Sequence, residues 1–277
     1  MPIAAIVAAL SSALIHATWN ALLKGGKNRL NDSAVIAVFW VVSGIVAIAL
    51  RPPVSADVWP YILASGIAHS IYWAALAKGL SVGDMSHVYT LSRGLAPALI
   101  AVVAIFAAAE VPSAPEAFGI ALVCVGVLAV GFSPRAPLRA TIWATITACG
   151  IACYSVIDAM GVRLSHEPLG FAGWSFVANG VVIFLFALWR RGSAPLIAAM
   201  RADWKLGALV GVVSAIGYAI VLWAQSFAPI AQVSSLRETS VVFGALIAFF
   251  FLKERLGARR WIGAALVAGG AALIAVR

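Results

Sequence analysis

Tyr89-Thr-Leu-Ser-Arg-Gly-Leu-Ala-Pro97 and Ala228-Pro-Ile-Ala-Gln-Val-Ser-Ser-Leu-Arg-Glu-Thr-Ser-Val-Val-Phe243 are the two stretches on which the fold turns. Each sets an arginine deep in an apolar region, and the two arginines, Arg93 and Arg237, stand 144 residues apart. The same offset places Phe106 on Phe250, Glu110 on Glu254, Gly119 on Gly263, Leu122-Val123 on Leu266-Val267 and Gly126 on Gly270. Matches among Ala and Val arise by chance in a biased chain; coincidence at Arg, Glu and Gly together does not. An upstream offset near 135 sets Trp19 beside Tyr154. The chain therefore divides into two similar units, residues 1–133 and 138–277.

Working outward, the surroundings of both stretches are hydrocarbon-like. The 277 residues are 63% hydrophobic and 10% charged, against roughly 25% charged in an ordinary soluble domain. Mean hydropathy is +1.03. Such a chain cannot cover a globule with a polar surface, so it is read as an all-α integral membrane protein. Its long runs of Ala, Leu and Gly exclude the short alternating segments of an outer-membrane barrel. Punctuation places ten spans at about 3–23, 33–50, 58–77, 86–108, 115–132, 140–161, 168–189, 206–227, 229–252 and 260–276, each near the roughly 20 residues a bilayer requires. Pro60, Pro115, Pro168 and Pro229 mark helix starts, where a missing N–H costs nothing. Polar stretches such as Lys24–Asp32, Arg190–Arg201 and Lys253–Arg260 separate spans, and Gly207 and Gly211 are read as points of close helix approach.

Five spans per unit is an odd number, so the second unit enters the membrane from the opposite face. The predicted fold is ten transmembrane helices arranged as two inverted five-helix repeats, an arrangement that puts a substrate between the halves. Of the nineteen Lys and Arg, fourteen fall on odd-numbered loops and three on the other side. That asymmetry predicts cytoplasmic odd loops and periplasmic termini. It also explains the net charge of +9 without nucleic acid. The first span has no basic region ahead of it and is read as retained rather than as a cleaved signal.

The second stretch, with Leu252-Lys-Glu-Arg-Leu256 and Gly263-Ala-Ala-Leu-Val-Ala-Gly-Gly270, resembles the EamA repeat of the drug/metabolite transporter superfamily. Tyr89 to Pro97 with Glu110 and Gly119 to Gly126 resembles the same pattern more loosely, and the two copies cover essentially the whole chain. The resemblance implies a bacterial inner-membrane exporter of amino acids or related metabolites, with aromatic amino acid exporters the nearest named group. Ten-span relatives are often drawn with cytoplasmic termini; the charge count here gives the reverse, and the charges are followed.

Polar residues in hydrocarbon normally face the bundle interior or a wet cavity. Ser12, His16, Trp19 and Asn20 share one face of the first span, and His69, Tyr72 and Trp73 one face of the third. Tyr89, Arg93 and Pro97 step by four along the fourth, Tyr154 and Asp158 pair on the sixth, and Ser214, Tyr218 and Gln225 follow the eighth. Arg237 and Glu238 lie within the ninth. Aromatic faces with hydrogen-bonding tips suit a pocket for a small amphipathic solute. The candidate substrate contacts are thus His16, Trp19, His69, Tyr72, Trp73, Tyr89, Arg93, Tyr154, Asp158, Tyr218, Gln225, Arg237 and Glu238.

Each has a structural alternative. His16 and His69 could equally bond neighbouring helices, and Asp158 could serve an arginine. Arg93 and Arg237 could form bundle ion pairs instead of meeting a carboxylate. Glu110 and Glu254 read as turn or capping residues, and Trp59, Trp189, Trp204 and Trp261 as interfacial anchors. Cys124, Cys149 and Cys153 read as small packing residues, since no ligand stands at metal spacing. The expected function is export of neutral and aromatic amino acids by alternating access through a central cavity. The alternatives are another solute class (purine, sugar or drug-like) and, further off, a membrane enzyme or scaffold. No His-Glu-x-x-His, Gly-x-Ser-x-Gly or phosphate-cradling Gly-x-x-x-x-Gly-Lys occurs. No cofactor is expected. The partners expected are a small-molecule substrate and the bilayer, with the protein a monomer.

Overall fold

The computed structural model describes residues 1–22, 29–251, 253 and 256–276, apart from the Arg29 side chain. Loop charges Lys24, Lys27, Arg255 and Arg277, the Arg29 side chain and the repeat residue Glu254 lie outside the described residues. The described residues form helices joined by short turns and irregular connections, with no strand among them. The helices are α1 Ile3–Leu22, α2 Arg29–Ala49, α3 Trp59–Val82, α4 Met85–Ala108, α5 Ala114–Gly131 and α6 Leu138–Ser165. They continue with α7 Pro168–Arg191, α8 Ser193–Gln225, α9 Ile230–Arg237, α10 Ser240–Phe250 and α11 Ala258–Ala275.

The start signals behave as the sequence suggests. Pro60, Pro115 and Pro168 sit in first turns, and Pro229 is the N-cap of α9. At α5 the Glu116 carboxylate accepts the Ser113 N–H at 2.7 Å, which satisfies one of the end's orphan donors. Helix α7 stops at Gly192, whose φ of 76° a side chain would disfavour.

Among the described residues, nine helical segments are long and apolar enough to cross a bilayer, with residues 230–250 counted as one. The remaining long helix, α3, has 24 residues; its Ser65, His69, Ser70 and Lys78 dilute its apolar character. Large side chains such as Ile67, Phe106, Leu138 and Val111 stand well exposed on the outside, while the interior is filled largely by Ala, Gly and Ser. An apolar exterior around a small-residue interior is the arrangement of a multi-pass membrane protein.

Two expected boundaries are corrected. The eighth span, expected at 206–227, is the end of a 33-residue helix that starts at Ser193. The Arg190–Arg201 stretch, read as a separator, is therefore mostly helix. Hydropathy saw its charges and missed the run of good helix formers from Ala194 to Met200, with Pro195 harmless in the first turn. At about 1.5 Å per residue this helix outruns the hydrocarbon core. The ninth span, expected as continuous over 229–252, breaks at Glu238 and Thr239. There the Glu238 and Thr239 N–H groups bond carbonyls three residues back, Ser235 and Leu236, at 3.1 Å each. The Thr239 hydroxyl also donates to the Leu236 carbonyl at 2.7 Å, competing with the helical ladder.

Helix α2 packs along α7, α5 along α11, α3 along α6 and α1 along α8. In the α5–α11 contact a Cβ added at Gly126 would lie 2.7 Å from the Gly263 carbonyl oxygen, and one at Gly263 would lie 2.6 Å from that of Gly126. Gly119 and Gly270 meet in the same reciprocal way, at 2.9 and 2.5 Å. Only glycine permits this approach of two backbones.

Candidate functional site

The polar stripes of α1, α3, α4, α6 and α8 meet one another and the break after α9. On one side is an aromatic group built around Asp158, a residue with no solvent exposure. Tyr218 of α8 donates its hydroxyl to Asp158 Oδ2, and the Ser65 hydroxyl of α3 stands beside the carboxylate. Oδ1 is buried without a hydrogen-bond partner. His69, one turn beyond Ser65, donates Nδ1–H to the Ser65 carbonyl at 3.0 Å, leaving Nε2 as the acceptor nitrogen. Its ring stacks on Tyr154 at 3.9 Å between centroids and meets Tyr218 edge-on at 6.3 Å. Tyr72 completes the group, edge-on to Tyr154 at 5.5 Å.

On the other side stands an ion pair. Arg93 Nε donates to Glu238 Oε2 at 3.1 Å, and an Nη lies 2.9 Å from Oε1. This is the two-point geometry that guanidinium and carboxylate favour. Both side chains are largely buried. The helix break supplies the glutamate. Pro97 acts on the arginine's helix, because without an N–H it leaves the Arg93 carbonyl without its usual helical partner. His16 Nε2 lies 3.5 Å from the Tyr89 hydroxyl, and its ring meets Trp19 edge-on. Arg93 and Arg237 are both within electrostatic reach of His16, Tyr72 and Tyr154. Arg237 lays its guanidinium over the Tyr218 ring, 5.6 Å from the centroid, and has no carboxylate within 4 Å among the described residues.

The structure thus brings together His16, His69, Tyr72, Tyr89, Arg93, Tyr154, Asp158, Tyr218, Arg237 and Glu238. Trp19 joins at its edge through His16. Trp73 meets Tyr72 at 5.3 Å and packs against the apolar cluster of Leu76, Val88, Leu91, Ala140 and Ala144. Gln225 sits elsewhere, at the end of α8, where its amide donates to Ser234 at 3.2 Å. Asp158, open between a direct role and service to an arginine, is bonded by a tyrosine. No group of three or more possible metal ligands occurs among the described residues.

A second ionic cluster escaped the sequence reading. Arg163, counted there as a loop charge, closes α6 and bonds Glu110 at 2.6 Å, the Gln225 carbonyl at 2.9 Å and the Ala228 carbonyl at 2.8 Å. Glu110 in turn accepts the Ile230 N–H at 2.7 Å. It caps a helix, as expected, but that helix is α9. Trp40 of α2 donates to Ser214 at 2.8 Å. These contacts join residues more than fifty positions apart, beyond the reach of helical periodicity; Glu110, Ser214 and Gln225 were visible singly, but not their partners.

A match to the EamA-like transporter family covers residues 138–276, from the start of α6 to the end of α11. The chain belongs to that family. It is accordingly a multi-pass membrane protein of the drug/metabolite transporter superfamily, and the EamA-like reading of the sequence holds. A Sinorhizobium protein described as an uncharacterized transporter in the cobO 3′ region is 27% identical over 134 residues, which span 48% of this chain and 94% of that protein. One crystal structure, described no further than as that of a protein, is similar in fold at a TM-score of 0.74 and 18% identity, covering 97% of each chain.

Proposed function

We propose that this EamA-like transporter exports neutral amino acids, aromatic ones included, from the inner membrane's cytoplasmic side by alternating access. The observation that carries the reading is the meeting of charged side chains with a stacked aromatic group, Arg93 and Glu238 beside His69, Tyr154 and Tyr218. An amino acid needs countercharges and a surface for its side chain; that neighbourhood offers both. In the proposed mechanism the solute sits between two inverted five-helix units, residues 1–133 and 138–277, which rock about it. The reciprocal glycine contacts support this. Gly119 meets Gly270 and Gly126 meets Gly263, and the 144-residue offset exchanges one pair for the other. On α2 and α7, Gly44 meets Gly173 and Gly180 meets Ala37, pairs exchanged by an offset of 136. The helices that carry Arg93 and Arg237 fit too: Pro97 removes one rung of the ladder within the continuous α4, and the Glu238–Thr239 turn follows α9.

The test is counterflow in proteoliposomes against a panel of amino acids, purines and sugars. Flux of phenylalanine and threonine is expected. Tyr154→Ala or Tyr218→Ala should slow phenylalanine more than threonine, because only the larger side chain uses the aromatic wall. Equal losses would make those rings packing residues. Robust purine or sugar flux with no amino acid flux would replace the substrate class.

A further inference from the structure

Three arginines and three carboxylates lie where the helices converge. Arg93 is neutralised by Glu238, and Arg163 by Glu110. The remaining two, Arg237 and Asp158, form no ion pair with each other or with any other described residue. Tyr218 stands between them, its ring under the guanidinium and its hydroxyl on Asp158 Oδ2. A cation inside a membrane bundle ordinarily finds an anion, and a buried carboxylate oxygen without a donor is costly. Arg237 feels Glu238 only at a distance, without a direct contact, and Asp158 Oδ1 has no donor, so both groups stand open on either side of one tyrosine.

We propose that this divided pair is the zwitterion site: Arg237 receives the solute's carboxylate and Asp158, through Oδ1, its ammonium. The inference rests on the amino acid reading above and sharpens it. Of the two arginines and two acids in the central cluster, the Arg93–Glu238 pair is already satisfied and holds α4 to the α9 break. Tyr218 and the His69–Tyr154 stack then face the part of the solute between and beyond its two charges. The ligand class is a small molecule carrying an ammonium and a carboxylate on one carbon atom, with an apolar or aromatic remainder. A monocation or a monoanion leaves one of the two protein charges unanswered and binds less well.

The assignment is tested with the purified full-length protein, by competition against labelled L-phenylalanine. The competitors are L-phenylalaninamide, which lacks the carboxylate, and 3-phenylpropionate, which lacks the ammonium. In the parent protein both should compete about tenfold or more worse than phenylalanine, the worth of one charge-assisted contact. In Arg237→Gln, phenylalanine should weaken to the level of the amide, with the amide little changed. In Asp158→Asn it should weaken to the level of phenylpropionate, with phenylpropionate little changed. Arg237→Lys keeps the charge and should recover part of the loss, which separates a binding defect from a folding one. The amide competing as well as phenylalanine in the parent overturns the assignment, as does an equal loss of all three solutes in both variants. Either result leaves phenylalanine a ligand and the amino acid reading standing. Absence of phenylalanine binding by the parent, alongside binding of a purine or a sugar, overturns both.

Discussion

At the scale of single residues, the Arg93–Glu238 contact is the clearest source of both stability and risk. A buried ion pair gains little over apolar packing, but removing one partner strands a charge, at a cost of about 3–5 kcal/mol. Glu238→Gln and Arg93→Gln should therefore each lower the thermal midpoint of the detergent-purified protein. The double variant Arg93→Met with Glu238→Leu should recover most of that loss. If Glu238→Gln melts with the parent, the pair carries no structural weight. Sequence reading found both residues, because depth in a span marks a charge as exceptional. It could not pair them, because helical spacing says nothing about a contact across 145 positions. It also set Asp158 and Gln225 on one footing, whereas the first is a buried carboxylate with a bare oxygen and the second closes the end of α8.

At the scale of elements, small residues set how closely helices approach, and this much was legible. Gly207 and Gly211, read as close-approach points, do press against α2, at Val35 and Phe39. The α5–α11 contact allows a controlled comparison on one helix. A side chain at Gly263 would strike the Gly126 carbonyl, whereas one at Gly269 would meet nothing within 4 Å. Gly263→Leu should force α5 and α11 apart and destabilise by about 1–3 kcal/mol or more. Gly269→Leu should be neutral or slightly stabilising, since leucine favours helix over glycine by up to about 1 kcal/mol. Thermal melts of both variants against the parent decide it, and equal melting temperatures would remove the close approach as a determinant. The break in the ninth span was not legible. At it the Thr239 N–H and hydroxyl both bond the Leu236 carbonyl, within a stretch whose hydropathy still reads as one span.

At the scale of the whole molecule, the question is which end of the bundle faces the cytoplasm. Glu110, Arg163 and Ala228 follow the fourth, sixth and eighth spans, and one set of hydrogen bonds gathers them at a single end. That clustering is what alternating passage through a membrane requires of even-numbered connections. Lys78, Arg135 and Arg190 then belong to the other end. Cationic loops are retained on the cytoplasmic side, and one of the few even-side arginines, Arg163, is occupied by Glu110 and by two carbonyls. The charge asymmetry between the ends therefore predicts that the Arg163 cluster, and both termini with it, faces the periplasm. Alkaline phosphatase folds into an active enzyme only after export. Fusions after Val111 and at the C-terminus should be active, and one after Arg135 should be inactive. A green fluorescent protein fusion should show the opposite pattern at each point. The reverse outcome at all three positions would invert the molecule in the membrane and turn the proposed exporter's cytoplasmic entrance toward the outside, while every helix contact described above stayed in place.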